Sequence, residues 1–220
     1  MRVLYEDNHL IVVEKPVNVP VQADQSGDPD LLTQVKAYVK QRYHKPGEVY
    51  IGLVHRLDRP VGGAMVFART SKAAARLSQA IRVKEVRRTY WAVVHGAPPL
   101  AEGELTHYLA KDPRTYSSRT VDAGAPGAKL ARLHYRVLAQ RAGMTLVEVR
   151  LMTGRSHQIR VQLAASGCPI VGDQRYGTGN EAGVQIALWS RELALLHPVR
   201  KEELRFTCPP PPAWPWTEFS

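Results

Sequence analysis

The sequence predicts a mixed α/β (α+β) chain, and three observations carry that prediction. Short apolar or alternating runs recur along it: Leu10-Ile11-Val12-Val13, Ala64 to Ala68, Tyr90 to His95, Leu133 to Val137 and Thr145 to Leu151. Between some of them lie stretches whose apolar residues repeat at helical spacing, as in Leu31, Val35, Tyr38 and Val39. Clusters of glycine and proline separate the two kinds of segment. At 220 residues and 44% hydrophobic content, the chain can bury one sizeable core or two small ones sharing a sheet.

In chain order, Val3-Leu4-Tyr5 and Leu10 to Val13 read as two strands around the turn residues Glu6-Asp7-Asn8, with Lys15-Pro16 closing the second. Pro20 to Pro29 is rich in breakers and reads as loop. Asp28, with Pro29 behind it, is placed to cap the helix carrying Leu31, Val35, Tyr38 and Val39, which His44-Lys45-Pro46-Gly47 ends. Ile51, Leu53, Val54 and Leu57 read as a strand, and Ala64 to Ala68 as a strand covered on both faces. A helix follows with Ala73, Leu77, Ala80 and Ile81 as its stripe; Arg69, Lys72, Arg76, Arg82, Lys84, Arg87 and Arg88 flank it, as a solvated face or a phosphate-contacting one. The stretch from Leu100 to Lys129 carries only short strand-like pieces. Leu133, Tyr135 and Val137 alternate with Arg132, His134 and Arg136, and Val147, Val149 and Leu151 mark the next strand. Ser156 is placed to cap a helix carrying Ile159 and Leu163 that stops at Gly167. A strand or short helix is expected around Leu188 to Leu196. The residues from about 205 to 220 form a Pro/Trp-rich tail, expected to be extended and stiff, with its tryptophans docked on the body ahead of the alternative that they read a partner.

The net charge of +10, from 30 Lys and Arg against 20 Asp and Glu, favours a polyanionic partner, with nucleic acid first. No apolar run is long enough to span a membrane, and the N-terminus lacks the pattern of a signal peptide, so a soluble cytoplasmic protein is expected. Cys168 and Cys208 are far apart and lack CxxC spacing. That suits a reducing compartment and points to neither a disulfide scaffold nor a zinc site.

The chemistry concentrates in Val54-His55-Arg56-Leu57-Asp58-Arg59-Pro60-Val61-Gly62-Gly63. Asp58 falls where an element ends, between cationic side chains and just ahead of breakers that force a turn. Taken alone it reads first as an ordinary turn aspartate paired with Arg56 or Arg59. Two further stretches stand with it: Arg87-Arg88-Thr89-Tyr90-Trp91-Ala92-Val93-Val94-His95-Gly96, and Thr153-Gly154-Arg155-Ser156-His157-Gln158-Ile159-Arg160-Val161 followed by Gly167 to Gly177.

In these three blocks the sequence resembles the RluA-like family of pseudouridine synthases, over about Val3 to Pro198. The resemblance implies an α/β fold with a long, mostly antiparallel mixed sheet shared by two subdomains, helices flanking it and a central catalytic cleft. It implies one catalytic domain over 1–220, without the small RNA-binding domain that many members carry ahead of it. The reaction isomerises uridines in ribosomal or transfer RNA, without cofactor, metal or obligate protein partner, in a monomer. By the same resemblance Asp58 is the nucleophile and Arg155 the guanidinium that pairs with it and keeps it ionised. Tyr90 lies over the uracil as stacking wall, base or both. Arg56 is expected to fill the gap left by a flipped nucleotide, His55 to be a structural hydrogen-bonding residue beside it, and Ile159 an apolar position near the pocket. Val61-Gly62-Gly63 stands where relatives usually have a hydroxyl-bearing turn, from which a looser loop is expected. A catalytically idle RNA-binding protein on the same fold is the alternative. A glycosidase-like carboxylate hydrolase needs a second acid that no motif nominates.

Overall fold

The computed structural model describes residues 1–177 and 181–219, which form eleven strands and three α-helices in two compact units. The first comprises Met1–Arg87 with Ser190–Pro209, the second Arg88–Trp189 with Pro210–Ser220.

In the first unit, β1 (Arg2–Glu6) and β2 (Leu10–Lys15) form the expected opening hairpin. Asp7 closes it: its Oδ1 accepts from the backbone nitrogens of His9 and Leu10, each at 2.8 Å. The antiparallel partner of β2 is β4 (Gly62–Ala68), every residue of which is buried, as the run of small and apolar side chains requires of a strand covered on both faces. The helix α1 (Leu31–Arg42) is capped by Asp30, not by Asp28. The Asp30 carboxylate accepts from the Thr33 nitrogen and hydroxyl, while Asp28 pairs with Arg59. Leu31, Val35 and Val39 are its buried face. In α2 (Ser71–Arg82), Thr70 caps the start and only Ala73 and Leu77 of the expected stripe are fully buried.

The strand expected over Ile51 to Leu57 shrinks to β3 (Gly52–Leu53), which pairs with β4 at Ala68 and Phe67. The reason is a side chain. Just past that pairing, the Val66 nitrogen on β4 donates to His55 Nε2 at 3.1 Å, so an imidazole takes a donor that a longer strand would have taken with its backbone. The order in this unit is β1-β2-β4-β10, with β10 (Leu188–Leu196) belonging to it from Ser190 onward and β11 (Glu203–Thr207) antiparallel to β10. Arg205 to Thr207 therefore lie in a strand and not in the tail.

The second unit has the order β5-β9-β8-β6-β7. The strands β5 (Arg87–His95), β8 (Lys129–Arg141) and β9 (Met144–Leu151) are those the alternation predicts. The uninformative stretch contains two more, β6 (Glu102–Lys111) and β7 (Ser118–Val121). All four neighbouring pairs in this order are antiparallel. The helix α3 (Gln158–Ala165) has His157 at its N-cap in a left-handed conformation with no side-chain cap, so Ser156 is not the cap. The tail ends in a 3-10 turn, Trp216–Phe219, with Trp216 buried and Trp214 exposed; its final residue lies outside the described ones.

Candidate active site

His55, Arg56 and Asp58 lie on the first unit's loop between β3 and β4. The loop is pinned on both sides of the aspartate. The Val61 nitrogen donates to the Asp58 carbonyl at 3.0 Å, closing a turn. Arg59 directs its guanidinium to Ser26, Asp24 and Asp28, so it is anchored to the loop ahead of α1. Arg56 is exposed and Asp58 half-buried.

Beneath this loop sits a residue that the sequence marked only as closing a strand. Lys15 is 0% exposed, and its Nζ donates to the carbonyls of Pro16 at 3.0 Å, Arg59 at 2.9 Å and Val61 at 2.8 Å. Burial lowers its pKa to about 7, an effect that the negative charge of Asp58 opposes and the positive charge of Arg59 assists. Its partner across the ladder is Gly63, whose φ of +115° is glycine territory; a Cβ there would lie 2.7 Å from the Ser190 nitrogen and closer still to its carbonyl oxygen. The Val61-Gly62-Gly63 turn is held by Lys15 and by close backbone approach.

Tyr90, Arg155 and Ile159 belong to the second unit. Tyr90 is buried on β5 opposite Val149, and Ile159 is buried on the first turn of α3. Arg155 is exposed on the turn before α3. Its Nε donates to the Leu130 carbonyl at 2.9 Å, and its backbone nitrogen donates to Gln158 Oε1 at 2.9 Å. Gln158 is buried; its Oε1 also accepts from the Thr153 hydroxyl at 2.8 Å, and its Nε2 donates to the Arg132 carbonyl at 3.0 Å. The amide therefore ties the Thr153–Gln158 turn to β8.

Behind α3 a second anchor holds the helix. Arg160 makes a buried fork to Asp173, with Nε to Oδ2 at 2.8 Å and Nη2 to Oδ1 at 2.7 Å. Burial opposes ionisation of Asp173, but Arg160 and the backbone nitrogens of Arg175 and Tyr176 outweigh it and hold its pKa below the ordinary carboxylate value. The Tyr176 ring lies under the Arg160 guanidinium at 5.1 Å, and its hydroxyl bonds His157 Nδ1 at 2.7 Å. These residues stand in the third sequence block, but composition gives no sign of which side chains pair.

Comparison with known proteins places the chain in a family. The family described as RNA pseudouridylate synthase matches residues 9–165, which include all six candidate residues. The chain belongs to that family. Among its relatives, the "Uncharacterized RNA pseudouridine synthase YhcT" of Bacillus subtilis is 35% identical over 203 residues, 91% of this chain and 65% of that protein. The "Ribosomal large subunit pseudouridine synthase D" of Xanthomonas campestris is 35% identical over 225 residues, 96% of this chain and 66% of that one. The solved structure of "Human RNA Pseudouridylate Synthase Domain Containing 4" matches with a TM-score of 0.80 at 25% identity, covering 96% of this chain and 88% of that one. The chain thus spans slightly less than two thirds of the length of the first curated relatives it matches.

Proposed function

We propose that this protein is an RNA pseudouridine synthase that isomerises uridines in structured ribosomal or transfer RNA. The observation that carries the reading is the family match over 9–165, which contains the Asp58, Tyr90 and Arg155 blocks in order. Both units form one catalytic domain in this reading, and the protein works as a cytoplasmic monomer. Among the described residues no helix is long and apolar enough to cross a membrane.

The reaction breaks the bond from ribose C1′ to uracil N1, turns the base and joins C1′ to C5, with the C5 proton passing to a base. Asp58 is the carboxylate that attacks carbon, and its fixed turn supplies the orientation that a weak nucleophile needs. By the family resemblance, Arg155 is the cation that serves that carboxylate. Its Nε is engaged by Leu130, which aims the remaining guanidinium edge. Tyr90 is the wall against the uracil and the base for its proton, Arg56 fills the stack after the target nucleotide leaves it, and His55 and Ile159 shape the pocket.

The test is release of tritium from C5-labelled uracil in unmodified ribosomal and transfer RNA, followed by mapping of pseudouridine by position. Release with a mapped site supports the reading. RNA binding without any release would leave the idle RNA-binding alternative in its place.

A further inference from the structure

We propose that the surface where the end of α1 meets the start of α2 is an RNA-contacting patch of the first unit: Lys40, Lys45 and Lys72 hold the phosphate backbone of the substrate, and Tyr50 stacks on one of its unpaired bases. This rests on RNA being the substrate. The basic residues around α2 fall into two kinds. Arg69, Arg76 and Arg87 are engaged within the protein: Arg69 donates to the Asp7 carbonyl and lies over the Tyr43 ring at 4.1 Å, Arg76 donates to the Pro198 carbonyl at 2.8 Å, and Arg87 pairs with Glu203. Lys72, Arg82 and Lys84 are exposed and make no ion pair among the described residues. Lys72 stands in the first turn of α2, which holds no acidic residue. A cation there opposes the helix dipole, so the helix itself gains nothing from it.

The Arg69–Tyr43 contact brings the last turn of α1 to the same place. The Lys45 nitrogen donates to the Lys40 carbonyl at 3.0 Å, which folds the chain after Tyr43 back on that end of the helix. Lys40, His44 and Lys45 are exposed, and from Lys40 to Tyr50 the one carboxylate is Glu48. Arg42 leans away towards Glu6, at 3.8 Å. Tyr50 completes the patch. It is 51% exposed, and a Cβ on Gly52 would lie 2.8 Å from Ala74 Cβ and 2.9 Å from the Tyr50 hydroxyl oxygen, which sets the phenol beside α2. The Ala74 nitrogen in turn donates to the Thr70 carbonyl, so this is the helix's first turn, where Lys72 stands. A large aromatic half in water, among lysines that no carboxylate neutralises, suits a single-stranded segment with phosphates on the cations and a base on the ring.

The experiment compares wild type with Lys45→Gln/Lys72→Gln, with Arg82→Gln/Lys84→Gln, which removes the same charge from the other end of α2, and with Tyr50→Ala. Affinity for an unmodified ribosomal RNA transcript is measured from about 50 to about 200 mM salt, beside the single-turnover rate at saturating enzyme. Lys45→Gln/Lys72→Gln should lose about tenfold or more in affinity and flatten the slope of log affinity against log salt by about 2, with a single-turnover rate within about twofold of wild type. Arg82→Gln/Lys84→Gln should stay within about threefold of wild type in affinity. Tyr50→Ala should weaken binding by about fivefold or more and leave the slope unchanged. Equal losses in the two double variants, or wild-type affinity and slope in Lys45→Gln/Lys72→Gln, overturn the proposal, and wild-type affinity in Tyr50→Ala overturns the stacking contact. It is equally overturned if Lys45→Gln/Lys72→Gln keeps its RNA affinity and loses binding to anionic phospholipid vesicles. Absence of C5 tritium release from every protein, wild type included, with these binding differences intact, would instead defeat the synthase reading and leave the patch standing.

Discussion

Asp7→Asn should destabilise the first unit by an amount that depends on pH in a stated way. Asp7 closes the β1–β2 turn through Oδ1, and its Oδ2 accepts from Tyr5 at 2.9 Å, His197 Nε2 at 2.8 Å and Arg200 at 3.3 Å. His197 is fully buried, and its Nδ1 accepts from the backbone nitrogens of Val199 and Arg200, so its proton sits on Nε2 and points at the carboxylate. Burial raises the Asp7 pKa, but the hydrogen bonds from His9, Leu10, Tyr5 and His197 outweigh it and bring the value from 3.8 to about 2. That difference corresponds to roughly 2 kcal/mol of stability. Because the folded value lies below the unfolded one, the contribution is complete above 3.8 and is lost as pH falls towards 2. By pH 3 about 1 kcal/mol of it is gone. Asparagine keeps the acceptor for the turn but sets an amide N–H against the three donors that face Oδ2, which costs at least about 2 kcal/mol at pH 7. Urea unfolding of both proteins at pH 7 and pH 3 measures it. The gap between them should be at least about 2 kcal/mol at pH 7 and narrow by about 1 kcal/mol at pH 3. A gap that is absent at pH 7, or unchanged by pH, refutes the reasoning.

Gly63→Ala should cost about 3 kcal/mol or more, since it combines a backbone clash with Ser190 and a φ that L residues rarely adopt; a melting temperature unchanged from wild type would contradict it. Gln158→Leu keeps the volume but takes away the acceptor shared by the Arg155 nitrogen and the Thr153 hydroxyl, so it should lower stability by about 2 kcal/mol and slow single turnover by about tenfold or more. Unchanged values in both assays would dismiss Gln158 as the anchor of that turn. For Tyr90, both Phe and Ala should fail at the chemical step if the phenol takes the proton, whereas a Phe variant within about tenfold of wild type leaves only the stacking wall.

The strands with strict alternation or unbroken apolar runs were legible because burial on one or both faces imposes that pattern, as in Leu133, Tyr135 and Val147. β6 was not, because glycine, glutamate and histidine share its faces, and its partner β8 rather than its own hydrophobicity holds it in place. Both expected helix caps are displaced within a turn: Asp30 outcompetes Asp28, which Arg59 draws away, and the buried Gln158 amide organises the turn where Ser156 was expected to cap. The site shows the same limit. Asp58, Tyr90 and Arg155 were visible through their motifs, but Lys15 looked like a residue at the end of a strand. Only the fold brings its ammonium to the carbonyls of Arg59 and Val61, some 45 positions away.

The account stands on Asp58 as the nucleophile, and Asp58→Asn in single turnover with unmodified RNA tests it most directly. The substitution is near-isosteric and leaves the phosphate contacts that dominate affinity in place, so RNA binding should stay within a few-fold of wild type. Pseudouridine formation should be abolished. Residual turnover above about one part in a thousand would contradict covalent catalysis by this carboxylate.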